Sequence, residues 1–241
     1  FRGIDQGQTG LDVIAHFYNE RREGVMCIKE RPWQGLYADG VATLDYERGK
    51  ATHILDKPWQ TDDSIGSWGY NENTPYTTSD AVVDKLIDIV SKNGNLLLNI
   101  PIRADGTLDE TATGILEDLG RWFAVNGEGI YATRPWYLYG EGKTEMPHQT
   151  IESPFTFKDI RYTTKGEYLY AFVLDWPGRR IVEMQFLAPG NARIGRIQSV
   201  ELLGHKGDIQ WEHHPDGLRV TFPKQKPCDF AYCLKIHLPQ K

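Results

Sequence analysis

The apolar positions fall into two patterns, and the change between them comes near residue 137. Before it, helical and strand periods alternate. Between Gly10 and Gly24, Leu11, Ile14, Phe17 and Tyr18 recur at i, i+3, i+4 spacing, the period of an amphipathic helix. Arg21-Arg22 and Gly24 supply the basic last turn and glycine stop that end such a helix. Val25-Met26-Cys27-Ile28 is apolar on both faces, as in a parallel strand covered by helices, and a second strand is expected near Ala42–Tyr46. Asp56 to Thr78 has no clear period and reads as a long turn-rich segment. A helix is predicted from about Asp80 to Lys92, with Ser79 as N-cap, Gly94 as stop and Val82, Val83, Leu86, Ile89 and Val90 as its apolar stripe. Leu96–Ile100 reads as a buried strand, and Asp109 caps a helix running to about Asn126, closed by Gly127.

After Trp136 the period drops to two. Tyr168, Tyr170, Phe172 and Leu174 alternate with their neighbours, as do Val182, Met184 and Phe186, then Leu218, Val220 and Phe222, then Phe230, Tyr232, Leu234 and Ile236. Pro177-Gly178, Pro189-Gly190 and Asp216-Gly217 mark the turns between them. Short strands at this spacing predict an antiparallel β-sandwich. The expected division is 1–140 for the α/β part and 141–241 for the sandwich. The α/β part holds three or four strand–helix units, whereas a closed eightfold barrel takes roughly 250 residues. The α/β part is then either a small open sheet or the second half of a barrel whose first half is missing, and the start at Phe1 favours the second. The expected fold class is α/β plus all-β: the second half of a (β/α) TIM-like barrel, followed by the sandwich.

Composition narrows the function. Lys plus Arg number 27 against 33 Asp plus Glu, a formal charge of −6, so there is no basic stripe for phosphates and no polybasic membrane footprint. No apolar run approaches the roughly 18 residues that span a bilayer. Cys27, Cys228 and Cys233 show no metal-finger spacing, and Cys228 and Cys233, read on one strand, point to opposite faces. The histidines at 53, 148, 205, 213 and 214 lack ligand spacing, so no metal or other cofactor is implied. Aromatic residues reach 12% with seven Trp, a surplus that often lines clefts.

Two segments carry candidate chemistry. Asp45-Tyr46-Glu47-Arg48-Gly49 ends a strand in a cluster of charge, where parallel α/β folds gather their functional groups. The plain alternative is a surface Glu47 paired with Arg48 or Lys50. The segment from Lys57 to Asn71, with Trp59, Trp68, Tyr70 and several amides, has the make-up of a sugar site, in which aromatic faces cover C–H groups and amides satisfy hydroxyls. Its alternative is an ordinary loop anchored by buried Trp.

These segments also resemble family 29 glycoside hydrolases, the α-L-fucosidases. The resemblance rests on Asp45–Gly49, Pro58-Trp59-Gln60-Thr61-Asp62, Ser67-Trp68-Gly69-Tyr70-Asn71, Val90–Ile100, Ala104-Asp105-Gly106-Thr107 and Asn126–Tyr131, collinear over residues 11–137. It implies a retaining exo-hydrolase of terminal α-L-fucosyl linkages, acting by double displacement with two carboxyl groups about 5 Å apart. By that resemblance Glu47 is the general acid/base and Asp45 the fallback, while Trp68 packs on the deoxy-sugar methyl; Trp59 and Trp33 are expected to contact substrate on composition alone. The nucleophilic aspartate then falls upstream of Phe1; Asp5 could stand in only through a shifted alignment. The implied partners are a fucosylated oligosaccharide or glycoconjugate and the N-terminal part of the barrel, in the same or a separate chain, with no nucleic acid and no membrane, in an extracellular or periplasmic setting. The rival expectation is a non-catalytic carbohydrate-binding or structural fragment.

Overall fold

The computed structural model describes residues 8–29, 40–147 and 150–239. Helix α1 (Gln8–Glu20) precedes strands β1 (Cys27–Lys29), β2 (Thr43–Glu47) and β3 (Trp59–Ser64). Helix α2 (Ser79–Ser91), strand β4 (Gly94–Asn99) and helix α3 (Glu110–Asn126) follow. The four strands are parallel and lie in chain order, β1-β2-β3-β4.

Strand β3 is the element that the residue pattern hides, inside the segment read as turns. Its sequence, Trp-Gln-Thr-Asp-Asp-Ser, is almost wholly polar, yet four of its six residues are buried. Neighbouring backbone and side chains satisfy those polar groups. The Thr61 hydroxyl donates toward the carbonyls of Tyr46 at 3.0 Å and Gly49 at 2.8 Å, and Lys85 pairs with Asp63. A strand flanked on both sides can carry polar residues at buried positions when each finds a partner, and hydropathy periods are blind to that.

Both ends of α2 differ from the sequence expectation. The N-cap is Thr78, whose side chain accepts from the Ala81 N–H at 3.3 Å, while Ser79 starts the helix and donates to Asp118 of α3 at 2.6 Å. The chain leaves the helix through Asn93, whose φ of 72° is left-handed, the other residue type that tolerates this conformation. Gly94 already belongs to β4, and it is glycine for another reason: a Cβ there would sit 2.5 Å from the Trp59 ring.

α2 is also buried well beyond its apolar stripe. Asp84, Lys85, Asp88 and Ser91 are buried with Val82, Val83, Ile87 and Ile89, because the helix is wedged between the parallel sheet and the first strands of the antiparallel one. Asp84 is completely buried; Ser153 donates to its Oδ2 at 2.5 Å, and Oδ1 has no hydrogen-bond partner among the described residues. Burial pushes its carboxyl pKa well above the usual range. The folded state therefore holds a proton that the unfolded chain releases. The stability this contributes is complete below about pH 3.9 and is lost as pH rises toward the raised folded value. Asp84→Asn should flatten the fall in urea midpoint as pH rises above about 3.9; an unchanged fall would show that Asp84 does not cause it.

Eight strands follow: β5 (Arg134–Glu141), β6 (Ile160–Lys165), β7 (Tyr168–Val173), β8 (Ile181–Met184), β9 (Ser199–Leu202), β10 (Gln210–His214), β11 (Gly217–Thr221) and β12 (Tyr232–His237). They form a five-stranded sheet, β5-β6-β7-β12-β9, and a three-stranded sheet, β10-β11-β8, all antiparallel. The larger sheet begins at Arg134. Leu169, Ala171, Val173, Leu234 and Ile236 meet Leu218, Val220, Val182 and Met184 in the core between the sheets. The other face of the large sheet, with Tyr170, Phe172 and Cys233, packs on α2 and α3. The alternation of Tyr170 and Phe172 thus marks the helix-facing row, and their neighbours fill the sandwich. Trp122 of α3 ties the layers together, its indole N–H donating to the Ala231 carbonyl at 2.9 Å. All three cysteines are free.

Candidate active site

In parallel strands, residues paired in register share a face, and the face alternates along each strand. Lys29, Asp45, Gln60 and Asn95 form one such row across β1–β4. Two residues further along, Glu47, Asp62 and Leu97 form the next row on the same face, followed by Ser64 and Asn99. The intervening residues, including Tyr46, Trp59 and Leu96, cluster with Ile89 of α2 on the opposite face. The first face is open: Leu97 is 56% exposed, a high value for a leucine in the body of a sheet. Asp45, Glu47 and Asp62 thus stand together toward the C-terminal ends of their strands.

Their environments differ. Asp45 is buried, accepts from Gln60 Nε2 at 3.2 Å and pairs with Lys29 Nζ at 3.2 Å. Lys29 also pairs with Oδ2 of Asp62, whose Oδ1 is buried with no hydrogen-bond partner among the described residues. Partial burial pulls the Lys29 pKa down, but its bonds to Asp62 and Asp45 outweigh this and hold it above the ordinary value. Glu47 is exposed, and its side chain makes no hydrogen bond or ion pair with any described residue. The plain alternative, Glu47 paired with Arg48 or Lys50, does not form: Arg48 turns to Asp63, the Gly66 carbonyl and Trp68, and Lys50 to Asp88 and the Met146 carbonyl.

The predicted aromatic residues part company here. Trp68 is 43% exposed, and its carbonyl accepts from Asn99 Nδ2 at 3.1 Å, which fixes this part of the loop to the end of β4. Trp59 is the correction. It starts β3 on the helix-facing side, is fully buried, packs edge-on to Tyr46 with centroids 5.3 Å apart and donates its indole N–H to the Lys92 carbonyl at 2.8 Å. No ring face remains for a sugar, because the indole fills the gap over Gly94. Trp33 and Asp5 lie outside the described residues.

Lys29, Gln60 and Asp62 join the site although no pattern singles them out. Counting by two from Glu47 selects Asp45 within β2, but linking either to Asp62 or Lys29 requires the register between strands. A parallel α/β sheet with carboxylates and an exposed indole toward its C-terminal rim, packed against an antiparallel sandwich, belongs to the class in which strand-end side chains build the site. Comparison makes the class specific. Residues 4–128 match the model of the alpha-L-fucosidase family, and residues 153–237 match that of the alpha-L-fucosidase C-terminal domain. The chain belongs to the alpha-L-fucosidase family.

Its relatives include the plasma alpha-L-fucosidase of Rattus norvegicus, 32% identical over 96% of this chain and 50% of the relative. The tissue alpha-L-fucosidase of Homo sapiens is 30% identical over 79% of this chain and 39% of the relative. Among solved structures, alpha-L-fucosidase isoenzyme 1 of Paenibacillus thiaminolyticus superposes with a TM-score of 0.65 at 29% identity, covering 82% of this chain and 45% of its own. The Thermotoga maritima alpha-fucosidase in complex with fucose gives 0.70 at 25% identity, covering 95% and 49%. The chain spans about half the length of the relatives it matches, or less.

Proposed function

We propose that this chain is the C-terminal half of a retaining exo-α-L-fucosidase, with Glu47 as its general acid/base. The observation that carries the assignment is the contrast on the open face. Glu47 alone of the three carboxylates there has no partner among the described residues, whereas Asp45 and Asp62 share Lys29. A carboxylate held by an ammonium and an amide is a fixed charge; a free one can deliver a proton to a leaving oxygen and take one back from water. Asp45 therefore serves better as a support than as the acid.

In this reading β1–β4 are the later strands of a (β/α) barrel, and the open face is its interior. An N-terminal half, in the same or a separate chain, pairs with the sheet edges and brings a nucleophilic aspartate to about 5 Å from Glu47. That aspartate attacks the anomeric carbon while Glu47 protonates the departing oxygen. Glu47, now ionised, then activates the water that releases the sugar with its configuration retained. Covering the face also excludes water from the reacting groups. Trp68 offers an apolar surface to the methyl that distinguishes fucose from hydroxylated hexoses. The substrate is a fucosylated oligosaccharide or glycoconjugate, met in an extracellular or periplasmic setting.

The 241 residues alone should not turn over a chromogenic α-L-fucoside, and adding the N-terminal half should restore turnover. Clear activity from the 241 residues by themselves would overturn the divided-barrel reading. Fucoside binding without turnover by the reconstituted protein would favour a carbohydrate-binding role instead.

A further inference from the structure

Arg48 follows the proposed acid/base directly and has no part in the reaction described above. Its φ of 51° is left-handed, uncommon for a residue with a side chain and a sign of local constraint. That turn comes where β2 ends, and the Arg48 N–H donates to the Asp62 carbonyl at 2.9 Å. Three groups then fix the guanidinium. Nη2 donates to the Gly66 carbonyl at 2.9 Å, Nη1 lies 3.5 Å from Oδ1 of Asp63, and the guanidinium carbon stands 4.4 Å from the centroid of the Trp68 ring. Asp63 is itself buried and held by Lys85 and the Ser64 N–H, so it provides a rigid anchor.

A planar fork can stack on an indole while donating in its own plane; an ammonium cannot do both. Trp68 otherwise sits in a loop, with its carbonyl tied to Asn99 and much of its ring exposed. The cation covers one ring face, and Trp68 still remains 43% exposed.

We propose that Arg48 is a positioning residue that orients the Trp68 indole and, through it, sets the preference for a sugar bearing a methyl at C5 over one bearing a hydroxymethyl. The specificity clause rests on the fucosidase reading; the orientation clause does not. The test uses the full-length protein labelled with 5-fluorotryptophan, with the Trp68 fluorine resonance assigned through Trp68→Phe. Arg48→Lys should shift or broaden that resonance. On aryl α-L-fucosides it should raise KM about tenfold, equivalent to about 1.4 kcal/mol, with kcat held within about twofold and the pH profile unchanged. Selectivity for the α-L-fucoside over the α-L-galactoside should fall by a similar factor. In a Trp68→Leu background the same substitution should add nothing, since an effect transmitted through a side chain vanishes with it. Arg48→Gln, which keeps a donor for Gly66 without the charge, should move the resonance in the same way and serves if Arg48→Lys does not fold. An unmoved resonance, or an undiminished kinetic effect in the Trp68→Leu background, overturns the proposal. If the unsubstituted protein does not turn over the fucoside, the fucosidase reading and the specificity clause fail together, while the resonance still decides the orientation clause.

Discussion

Glu47→Ala, in the protein with its barrel complete, should lower turnover of a natural fucosyl linkage by about 10²–10⁴-fold. It should slow bond cleavage in a dinitrophenyl fucoside far less. The difference follows from the role. A poor leaving group needs its oxygen protonated as the bond breaks; an activated phenolate does not. With the dinitrophenyl fucoside only the second half-reaction, deprived of its general base, becomes slow, so the fucosyl-enzyme accumulates, and azide, which attacks without a base, should restore turnover of that substrate. Asp45→Ala is the decisive control, because Asp45 points to the same face one row away. Its loss frees Gln60 and one contact of Lys29, which should disturb the site without producing azide rescue. If Asp45→Ala is rescued by azide and Glu47→Ala is not, the two roles must be exchanged.

The second large effect concerns the joint between the layers. Asp88 of α2 is 1% exposed, and its carboxylate accepts from Arg161 Nε of β6 at 2.7 Å and from Lys92 Nζ at 2.7 Å, with Lys50 Nζ at 3.5 Å. Burial pushes the Asp88 pKa up, but Arg161, Lys92 and Lys50 together pull it below the usual carboxylate range. Burial also lowers Lys92, and it lowers Lys50 to about 8. Asp88→Ala leaves three cations facing one another with little solvent, and breaking a buried network in this way costs about 3–5 kcal/mol. For a protein of this size that is a fall in Tm of roughly 6–20 °C.

The pH dependence has a definite sign. A depressed folded pKa contributes stability that is present above the unfolded pKa, near 3.9, and is lost as pH falls through the folded value. The variant should lack that acid-side loss and should partly recover at alkaline pH as Lys50 gives up its proton. Guanidinium-free thermal melts across pH would show both features. A Tm drop below about 2 °C would mean that the network contributes little to holding the sandwich on α2.

Much of the architecture is legible in the residues. α2 and α3 show their apolar stripes, and Asp109 is the N-cap of α3 as read, whereas the caps of α2 fall one residue away from those expected. Four of the eight antiparallel strands, β7, β8, β11 and β12, announce themselves through period-two alternation and Gly-containing turns; β5, β6, β9 and β10 do not. Nor does β3, because every cue used for strands depends on apolar residues, and its buried polar groups are satisfied by partners such as Tyr46, Gly49, Arg48, Lys85 and Asn99 that only the fold brings to it. Trp59 misleads for a related reason. A tryptophan in an amide-rich stretch has the same composition whether it faces a sugar or fills the space over a glycine, and Gly94 lies 35 positions away.

The site divides along the same line. Glu47, Asp45 and Trp68 could be chosen from local sequence because strand ends and loop aromatics carry chemistry in this fold class. The choice between the two carboxylates could not. It turns on Lys29 and Gln60, which reach Asp45 through strand register and not through neighbourhood in the chain. By itself the sequence determined the alternation of helix and strand, the change to a sandwich, the family and a short list of chemical groups, since all of these are written in local period and motif. The tertiary structure decided which groups share a face, which are already paired and which indole remains free, because those depend on contacts between residues far apart in the chain.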